Sequence, residues 1–301
     1  MGALSIVIFC LGVGLLTARL PHPQGLAQAL NWWVIYIALP AVVLSQVTRL
    51  DSSAPLLLPA LSIWLVFLGG WLLMAVAGRL LGWTRDRIGA MALTAGFGNT
   101  SFVGYPLIEA LHGSGGLGLA VIADQFGSFI AMATLGLATA ALYSGQQVDA
   151  LAIVRRLLVF PAFWALLAAL ALRTLDCRPT ALLELSKRLG LTLTPLALFS
   201  IGLQLRLRSL GGDAAALTLG LGWKLLLAPF LVGLLLWATG LDWHATTIIV
   251  LQAGMAPMVT AAIIAQQHGL APTLASRMVG LGLGLSLLTI PLINLVMGWL
   301  G

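Results

Sequence analysis

The segment Gly96-Phe-Gly-Asn-Thr-Ser-Phe-Val-Gly-Tyr-Pro106 lies inside an apolar stretch that would otherwise read as one membrane-spanning helix. Its three glycines, its proline and its Asn-Thr-Ser run all disfavour a continuous helix. In a lipid bilayer, an interrupted backbone is tolerated only where protein or a water-filled cavity satisfies the freed amide groups. The segment therefore predicts a helix break that faces a polar site rather than lipid.

A second interruption, Gln252-Ala-Gly-Met-Ala-Pro257, occupies a matching place in the other half of the chain. An interval of fourteen residues leads to each break, from Gly82 to Gly96 and from Gly240 to Gly254. Interrupted helices in corresponding positions of two halves are typical of the binding sites of secondary transporters. The alternative for each break is a proline kink that only shapes helix packing.

The composition is that of a protein that crosses the membrane several times. Only 8% of its 301 residues are charged and 60% are hydrophobic, whereas soluble domains carry roughly 25% charged residues. The length accommodates about ten spans of ~20–25 residues, with no room for a soluble catalytic domain. We predict an all-α fold with spans at residues 3–20, 29–48, 55–80, 88–111, 115–145, 154–173, 188–205, 214–239, 243–267 and 273–300.

The basic residues indicate how the chain is oriented in the membrane. Nine of them lie in the loops after odd-numbered spans, including Arg206 and Arg208, and five lie on the opposite side, including Lys187 and Arg188. Because cytoplasmic loops carry the excess of Lys and Arg, we expect the odd-numbered loops in the cytoplasm and both termini outside. The net charge of +6 resides mainly in these short loops, so it does not indicate nucleic-acid binding.

The two halves of the chain resemble each other, and we predict repeats at residues 1–148 and 149–301. Spans 2 and 7 each contain a proline, Pro40 and Pro195, and each broken span closes with His-Gly. Each half has five spans, an odd number, so the second repeat is inverted relative to the first. Chance similarity in a chain rich in Leu, Ala and Gly is the alternative.

Neutral polar groups collect at the two breaks. The free ends of half-helices carry partial charges, positive at N-termini and negative at C-termini. Together with uncharged side chains they suit a carboxylate or another polar solute, while methionine offers adaptable apolar surface for an amphipathic one. The predicted ligand-binding residues are Asn99, Thr100, Ser101, Tyr105, Gln252, Gly254, Met255 and Thr260. The predicted break residues are Gly96, Gly98, Gly104, Pro106, Ala256 and Pro257.

Asp124 and Lys224 are the ionisable residues that lie clearly inside the predicted spans, and Glu109 lies close to the end of the fourth. A charge at the bilayer centre costs at least ~2.5–3.5 kcal/mol and normally faces the protein interior with a partner. At ~1.5 Å per residue, Asp124 and Lys224 both reach ~14–15 Å into the membrane, so they could pair. Such a pair, with Glu109, would replace a coupling cation or titrate during transport. The alternatives are a static ion pair and a lysine that snorkels to the interface.

Motifs for chemistry are missing from the sequence. The four histidines share no metal-ligand spacing, and there is no catalytic triad or phosphate-binding loop. We therefore predict no metal, no cofactor and no enzymatic activity.

Three segments resemble the auxin efflux carrier family. Gly98-Asn-Thr-Ser-Phe-Val-Gly-Tyr-Pro106 is similar to the family's fourth-span signature, and Gln252-Ala-Gly-Met-Ala-Pro257 is similar to its ninth-span crossover. Ser286-Leu-Leu-Thr-Ile-Pro291 resembles its C-terminal ending. The resemblance covers essentially the whole chain and is to a bacterial inner-membrane member, related to plant auxin carriers and to malate and malonate permeases.

The resemblance implies a fold like that of bile-acid/sodium symporters. Spans 1, 2, 6 and 7 would form a scaffold that makes a homodimer, and spans 3–5 and 8–10 would form a transport domain. This domain would carry a small organic anion, a dicarboxylate or an auxin-like carboxylate, by an elevator movement. The asparagine of the family's first crossover maps to Asn99. The second crossover has Met255 and Ala256 instead of an asparagine, which leaves more of the binding to backbone amides.

Two other functions are compatible with the sequence. The same architecture occurs in sodium- or proton-coupled symporters and antiporters, which would show a dependence on the coupling ion. The chain could also be a membrane sensor or assembly partner that has lost transport. Saturable flux of a solute would exclude that second alternative.

Overall fold

The computed structural model describes residues 2–50, 56–147, 150–204 and 213–301. These residues form an α-helical fold, in which one antiparallel bridge pairs Gly98 with Pro257. The predicted repeat boundary at residues 148 and 149 lies outside the described residues. Arg206 and Arg208, which contributed to the predicted orientation, lie outside them as well.

The helices follow one another along the chain with short connections. They are α1 (Gly2–Thr17), α2 (Leu26–Val47), α3 (Leu57–Leu80), α4 (Arg85–Gly96), α5 (Gly104–His112), α6 (Leu117–Ser144), α7 (Ala150–Val159), α8 (Pro161–Thr174), α9 (Thr180–Gly190), α10 (Leu193–Gln204), α11 (Ala214–Trp237), α12 (Trp243–Ala253), α13 (Val259–Gln267) and α14 (Pro272–Leu300).

Five of these helices, α2, α3, α6, α11 and α14, are long and apolar enough to cross a membrane. A sixth candidate combines Ile153–Val159 with α8, and its two parts meet at an angle of 66°. Pro161 begins α8, where its missing N–H is not needed for a helical hydrogen bond. The predicted span at residues 154–173 is therefore bent.

The predicted start of the span at residues 188–205 was wrong, because residues 188–190 belong to α9 and α10 begins at Leu193. Helix α9 begins at Thr180, so Lys187 and Arg188 lie in a helix and not in a loop. Both side chains are on the exposed face of α9, and Arg188 pairs with Glu184 one turn earlier at 3.1 Å. Two adjacent basic residues read as a loop because hydropathy does not separate a loop from the polar face of an amphipathic helix.

Both interruptions predicted from the sequence coincide with helix ends. Helix α4 ends at Gly96 before α5 begins at Gly104, and α12 ends at Ala253 before α13 begins at Val259. The two intervening segments cross and pair through their backbones. The Asn99 N–H donates to the carbonyl of Ala256 at 2.7 Å, and the Met258 N–H donates to the carbonyl of Phe97 at 2.9 Å. The crossing thus satisfies amide groups that a membrane helix would otherwise leave free.

Glycines bring α1 and α10 into backbone contact. A Cβ atom on Gly14 would overlap the carbonyl oxygen of Phe199, and a Cβ atom on Gly202 would overlap that of Leu11. Small residues allow membrane helices to approach closely, because association inside lipid rests on packing rather than on the hydrophobic effect. This contact joins the first helix of the chain to the second half.

The Gly14 contact predicts a stability difference between two neighbouring glycines. Gly14→Ala should cost about 1–3 kcal/mol, because the added methyl group meets backbone that cannot move aside. Gly12→Ala is the matched control, because a Cβ at Gly12 meets nothing within 4 Å. Thermal unfolding in detergent should show a melting temperature roughly 5 °C below that of the wild type for Gly14→Ala and an unchanged one for Gly12→Ala. Equal melting temperatures for the two variants would contradict the contact.

Candidate substrate-binding site

A cavity of about 350 Å³ lies beside the crossing of the two interrupted segments. One part of its wall comes from the crossing itself and from the start of α13. Other parts come from α2, α6, α10 and Phe160, the residue before α8. Asn31 lies near the start of α2 and Gln204 ends α10, so the cavity lies toward the start of α2 and the end of α10.

Asn99 presents an unused donor to this cavity. Its side-chain Oδ1 accepts the N–H of Phe102 at 3.1 Å, and its backbone carbonyl accepts the N–H of Gly104 at 3.0 Å. Because a backbone N–H can only donate, the first bond fixes the orientation of the Asn99 amide. The Nδ2 group has no partner among the described residues, and Asn99 lines the cavity. A ligand oxygen is the complementary group.

The beginning of α13 supplies further donors. Met258, Val259 and Thr260 line the cavity, and the helix has no side-chain cap at its N-terminus. The first N–H groups of a helix lack intrahelical partners and carry the positive end of the helix dipole. The Thr260 hydroxyl and the Ser101 side chain lie in the same wall. The wall contains no basic side chain among the described residues, so these hydrogen-bond donors would hold an anion without one.

Asp124 also lines the cavity, and four polar side chains converge on its carboxylate, Ser101 among them. The Thr100 hydroxyl lies 2.5 Å from Oδ1, whereas the Tyr105 hydroxyl and the Gln125 amide donate to Oδ2 at 2.9 and 2.7 Å. Thr100 and Tyr105 are buried behind the crossing. These two predicted ligand-binding residues therefore orient Asp124 rather than line the cavity.

The predicted residues of the second break lie behind the cavity. Gln252 is buried, and its amide donates to the carbonyls of Thr100 and Ala120 at 3.3 and 3.4 Å. It links α12 to the first break and to α6. Gly254 and Met255 are buried as well and do not line the cavity. Of the eight predicted ligand-binding residues, the cavity wall contains Asn99, Ser101 and Thr260.

Lys224 and Asp124 have separate partners. The Lys224 ammonium donates to the carbonyl of Ala253 at 2.7 Å, at the C-terminal end of α12. It also lies against Gly98, where a Cβ atom would stand 2.9 Å from Nζ. Glu109 accepts the Thr194 hydroxyl at 2.6 Å. Within the described ranges no ion pair joins these three charged residues. The position of a residue along a span gives its depth in the membrane but not the face of the helix on which it lies.

Most of the cavity wall was not identified from the sequence, and this part includes two polar and two aromatic residues of note. Asn31 and Gln204 contribute its polar groups from α2 and α10, and Phe129 and Phe160 are aromatic. The rings of Phe129 and Phe160 stack with centroids 4.2 Å apart, which connects α6 to the start of α8. A polar residue inside an apolar span was the available signal for Asn31.

Metal binding finds no support in the part of the chain that the structure describes. It contains no group of three or more His, Cys, Asp or Glu side chains placed to hold a metal ion.

The chain is similar in sequence to membrane transporters. A family model described as membrane transport protein matches residues 3–294. An uncharacterized transporter of Methanothermobacter thermautotrophicus is 28% identical over 278 residues, which cover 90% of this chain and 89% of that protein. An uncharacterized transporter of Methanocaldococcus jannaschii is 30% identical over 110 residues, which cover 35% of this chain and 36% of that protein.

Proposed function

The chain belongs to the membrane transport protein family, the auxin efflux carriers, and we propose that it moves a small organic anion, a dicarboxylate or an auxin-like carboxylate, by alternating access. It is an integral membrane transporter and not an enzyme. The observation that carries the proposal is the cavity at the helix crossing. Its wall combines the Asn99 amide with the exposed N-terminus of α13.

These donors favour an anion over a cation or a neutral solute. Hydrogen bonds from N–H groups to a carboxylate are stronger than those to a neutral acceptor. The N-terminus of a helix adds a favourable electrostatic term. The described part of the wall holds no fixed basic residue, so the anion can leave again, which transport requires. The apolar remainder of the wall, such as Ile35 and Ile263, suits the carbon skeleton of an organic acid.

The proposed architecture has ten membrane spans in two inverted repeats. Helices α1, α2 and α7–α10 would form the scaffold, through which two copies would dimerise, and α3–α6 and α11–α14 would form the transport domain. The contact of α1 with α10 and the packing of α2 against α8, α9 and α10 support this division. The cavity lies where the two groups of helices meet, as an elevator movement requires. In the predicted orientation, with both termini outside, this cavity opens toward the cytoplasm.

We predict that Asn99→Ala raises the substrate concentration for half-maximal uptake about tenfold, because one charge-assisted hydrogen bond is lost. Uptake of labelled malonate, malate and indole-3-acetate into proteoliposomes measures this. Asn294→Ala is the matched control. Asn294 lies on α14, where its Oδ1 atom is 2.7 Å from His112 Nε2, and it does not line the cavity. Removal of the Asn294 side chain should therefore leave uptake unchanged. Saturable uptake that Asn99→Ala does not alter would remove the site from the crossing.

Coupling to protons is a second proposal, and sodium coupling is its competitor. The observation that favours protons is that Asp124 is the single carboxyl group among the described residues that line the cavity, and its described partners are neutral donors. A carboxyl group beside the bound anion can change its charge between the two states of the cycle. Uptake measured separately with a proton gradient and with a sodium gradient distinguishes the two ions.

A further inference from the structure

The cavity has a second polar wall that the helix crossing does not supply. Asn31 on α2 and Gln204 on α10 both line it, and Ser200 connects them. The Ser200 hydroxyl donates to Oδ1 of Asn31 at 2.7 Å. The Gln204 Nε2 group lies 3.0 Å from both the hydroxyl and the backbone carbonyl of Ser200. Ser200 itself is fully buried.

This chain of hydrogen bonds leaves one defined donor and one defined acceptor for a ligand. Because a backbone carbonyl can only accept, the bond to the Ser200 carbonyl fixes Nε2 as the engaged end of Gln204. The Ser200 hydroxyl then accepts from Gln204 and donates to Asn31 Oδ1, with the Ala27 carbonyl as a second, longer acceptor at 3.3 Å. Among the residues that the structure describes, the Asn31 Nδ2 donor and the Gln204 Oε1 acceptor have no partner.

The charges around the cavity limit how much charge the ligand can carry. The described wall contains no Lys, Arg or His, and its one ionisable residue is the acid Asp124. A ligand with two ionised carboxylates would place its second negative charge near neutral amides and near Asp124. A charge removed from water without a cation is strongly disfavoured. A second group that is neutral but polar meets both free amide ends.

We propose that Asn31 and Gln204 form a specificity site that selects a monocarboxylate whose far end is a neutral hydrogen-bonding group, best matched by a carboxamide. The carboxamide oxygen accepts from Asn31 Nδ2, and its N–H donates to Gln204 Oε1. The carboxylate occupies the donors at Asn99 and at the start of α13. This inference rests on the proposed function, because it takes the crossing as the carboxylate site, and it narrows that function to monocarboxylates at the expense of the dicarboxylate alternative.

Three isosteric acids test the inference with the purified full-length protein. Succinamate carries a carboxamide at its far end, succinate carries a carboxylate there, and 4-methylpentanoate carries an isopropyl group. Binding to the wild type, measured by isothermal titration calorimetry in detergent, should be about tenfold tighter for succinamate than for either of the others, since a site built on hydrogen bonds discriminates against ligands that leave them unmade. Equal affinities, tightest binding of succinate, or no binding of any of the three would overturn the inference.

The variant Gln204→Met separates specificity from structural support. Methionine has a similar length and removes the acceptor. The affinity of the variant for succinamate should fall to that for 4-methylpentanoate, and its affinity for 4-methylpentanoate should equal that of the wild type. A parallel loss for all three acids would mean that Gln204 only supports the fold, which contradicts its role in selection. Asn99→Ala tests the proposed function separately, because loss of the carboxylate donor should weaken all three acids and preserve their order.

Discussion

Replacing Lys224 with Met is expected to lower uptake about 100-fold, a loss typical when support of a site is removed and its groups shift by about 1 Å. The Lys224 ammonium contacts the crossing from behind, through the Ala253 carbonyl and beside Gly98. It holds the C-terminal end of α12 and places a positive charge near the groups that donate hydrogen bonds to the bound carboxylate. Methionine removes both effects and has nearly the same length.

The stability of Lys224→Met should not fall with its transport activity. Lys224 is 1% exposed, and its one described hydrogen bond goes to a neutral carbonyl. Burial of a charge with so little compensation costs several kcal/mol, whereas the carbonyl left unpaired in the variant costs about 1–3 kcal/mol. We therefore expect a melting temperature equal to or above that of the wild type.

The control for Lys224 is Lys224→Gln, which retains a donor near Ala253 and removes the charge. Uptake by Lys224→Gln should lie between that of the wild type and that of Lys224→Met. The measurements are initial rates in proteoliposomes and thermal unfolding of the same preparations. Wild-type rates for Lys224→Met would show that the charge has no role in transport. A lower melting temperature for Lys224→Met would mean that Lys224 stabilises the whole fold rather than the crossing alone, which contradicts the prediction.

The helix breaks could be predicted from the sequence because their causes are local. Glycine and proline act through the backbone of the residues on which they occur. The partner of each break could not be predicted in this way. The bond from Asn99 N–H to the Ala256 carbonyl joins residues from opposite halves of the chain. No local pattern encodes that pairing, although the matched intervals indicated that the two breaks correspond.

Only part of the cavity wall could be predicted, because the partner of a polar side chain is not encoded locally either. Polarity at a break indicates that a side chain has a partner, but it does not tell a ligand from a neighbouring helix. Asn99 therefore lines the cavity while Thr100, the next residue, turns inward to Asp124. Asn31 and Gln204 could not be predicted as a pair, because they lie on different helices and are connected only through Ser200.

Asp124→Asn is expected to lower uptake about 100-fold at acidic pH on the outside and to abolish its dependence on pH. Thr100 donates to Oδ1, whereas Tyr105 and Gln125 both donate to Oδ2. An asparagine accepts at only one of these two atoms, so the Thr100 hydroxyl must turn to Ser128, 2.8 Å away, and its lost hydrogen bond to the carboxylate costs about 1.5–3 kcal/mol. This misalignment beside the cavity accounts for the lower rate at every pH.

The pH dependence follows from the charge of Asp124. An ionised Asp124 and an anion bound in the same cavity repel each other; two unit charges at a separation of about 8 Å would do so by roughly 2 kcal/mol at an effective dielectric constant of about 20. Protonation of Asp124 removes this repulsion, so wild-type uptake should rise as the external pH falls. Asparagine is neutral at every pH and cannot release or bind the coupled proton. An inward proton gradient should therefore drive accumulation by the wild type but not by Asp124→Asn.

Tyr105→Phe separates the charge of Asp124 from its hydrogen bonds. The variant removes one donor to Oδ2, so uptake should decrease, but the carboxyl group remains and so should the response to pH. Initial rates of labelled substrate uptake between pH 5 and pH 8 compare the three proteins. If Asp124→Asn kept the wild-type slope with pH, the coupled proton would bind elsewhere. If Tyr105→Phe lost that slope as well, the hydrogen-bond network and not the charge of Asp124 would control transport.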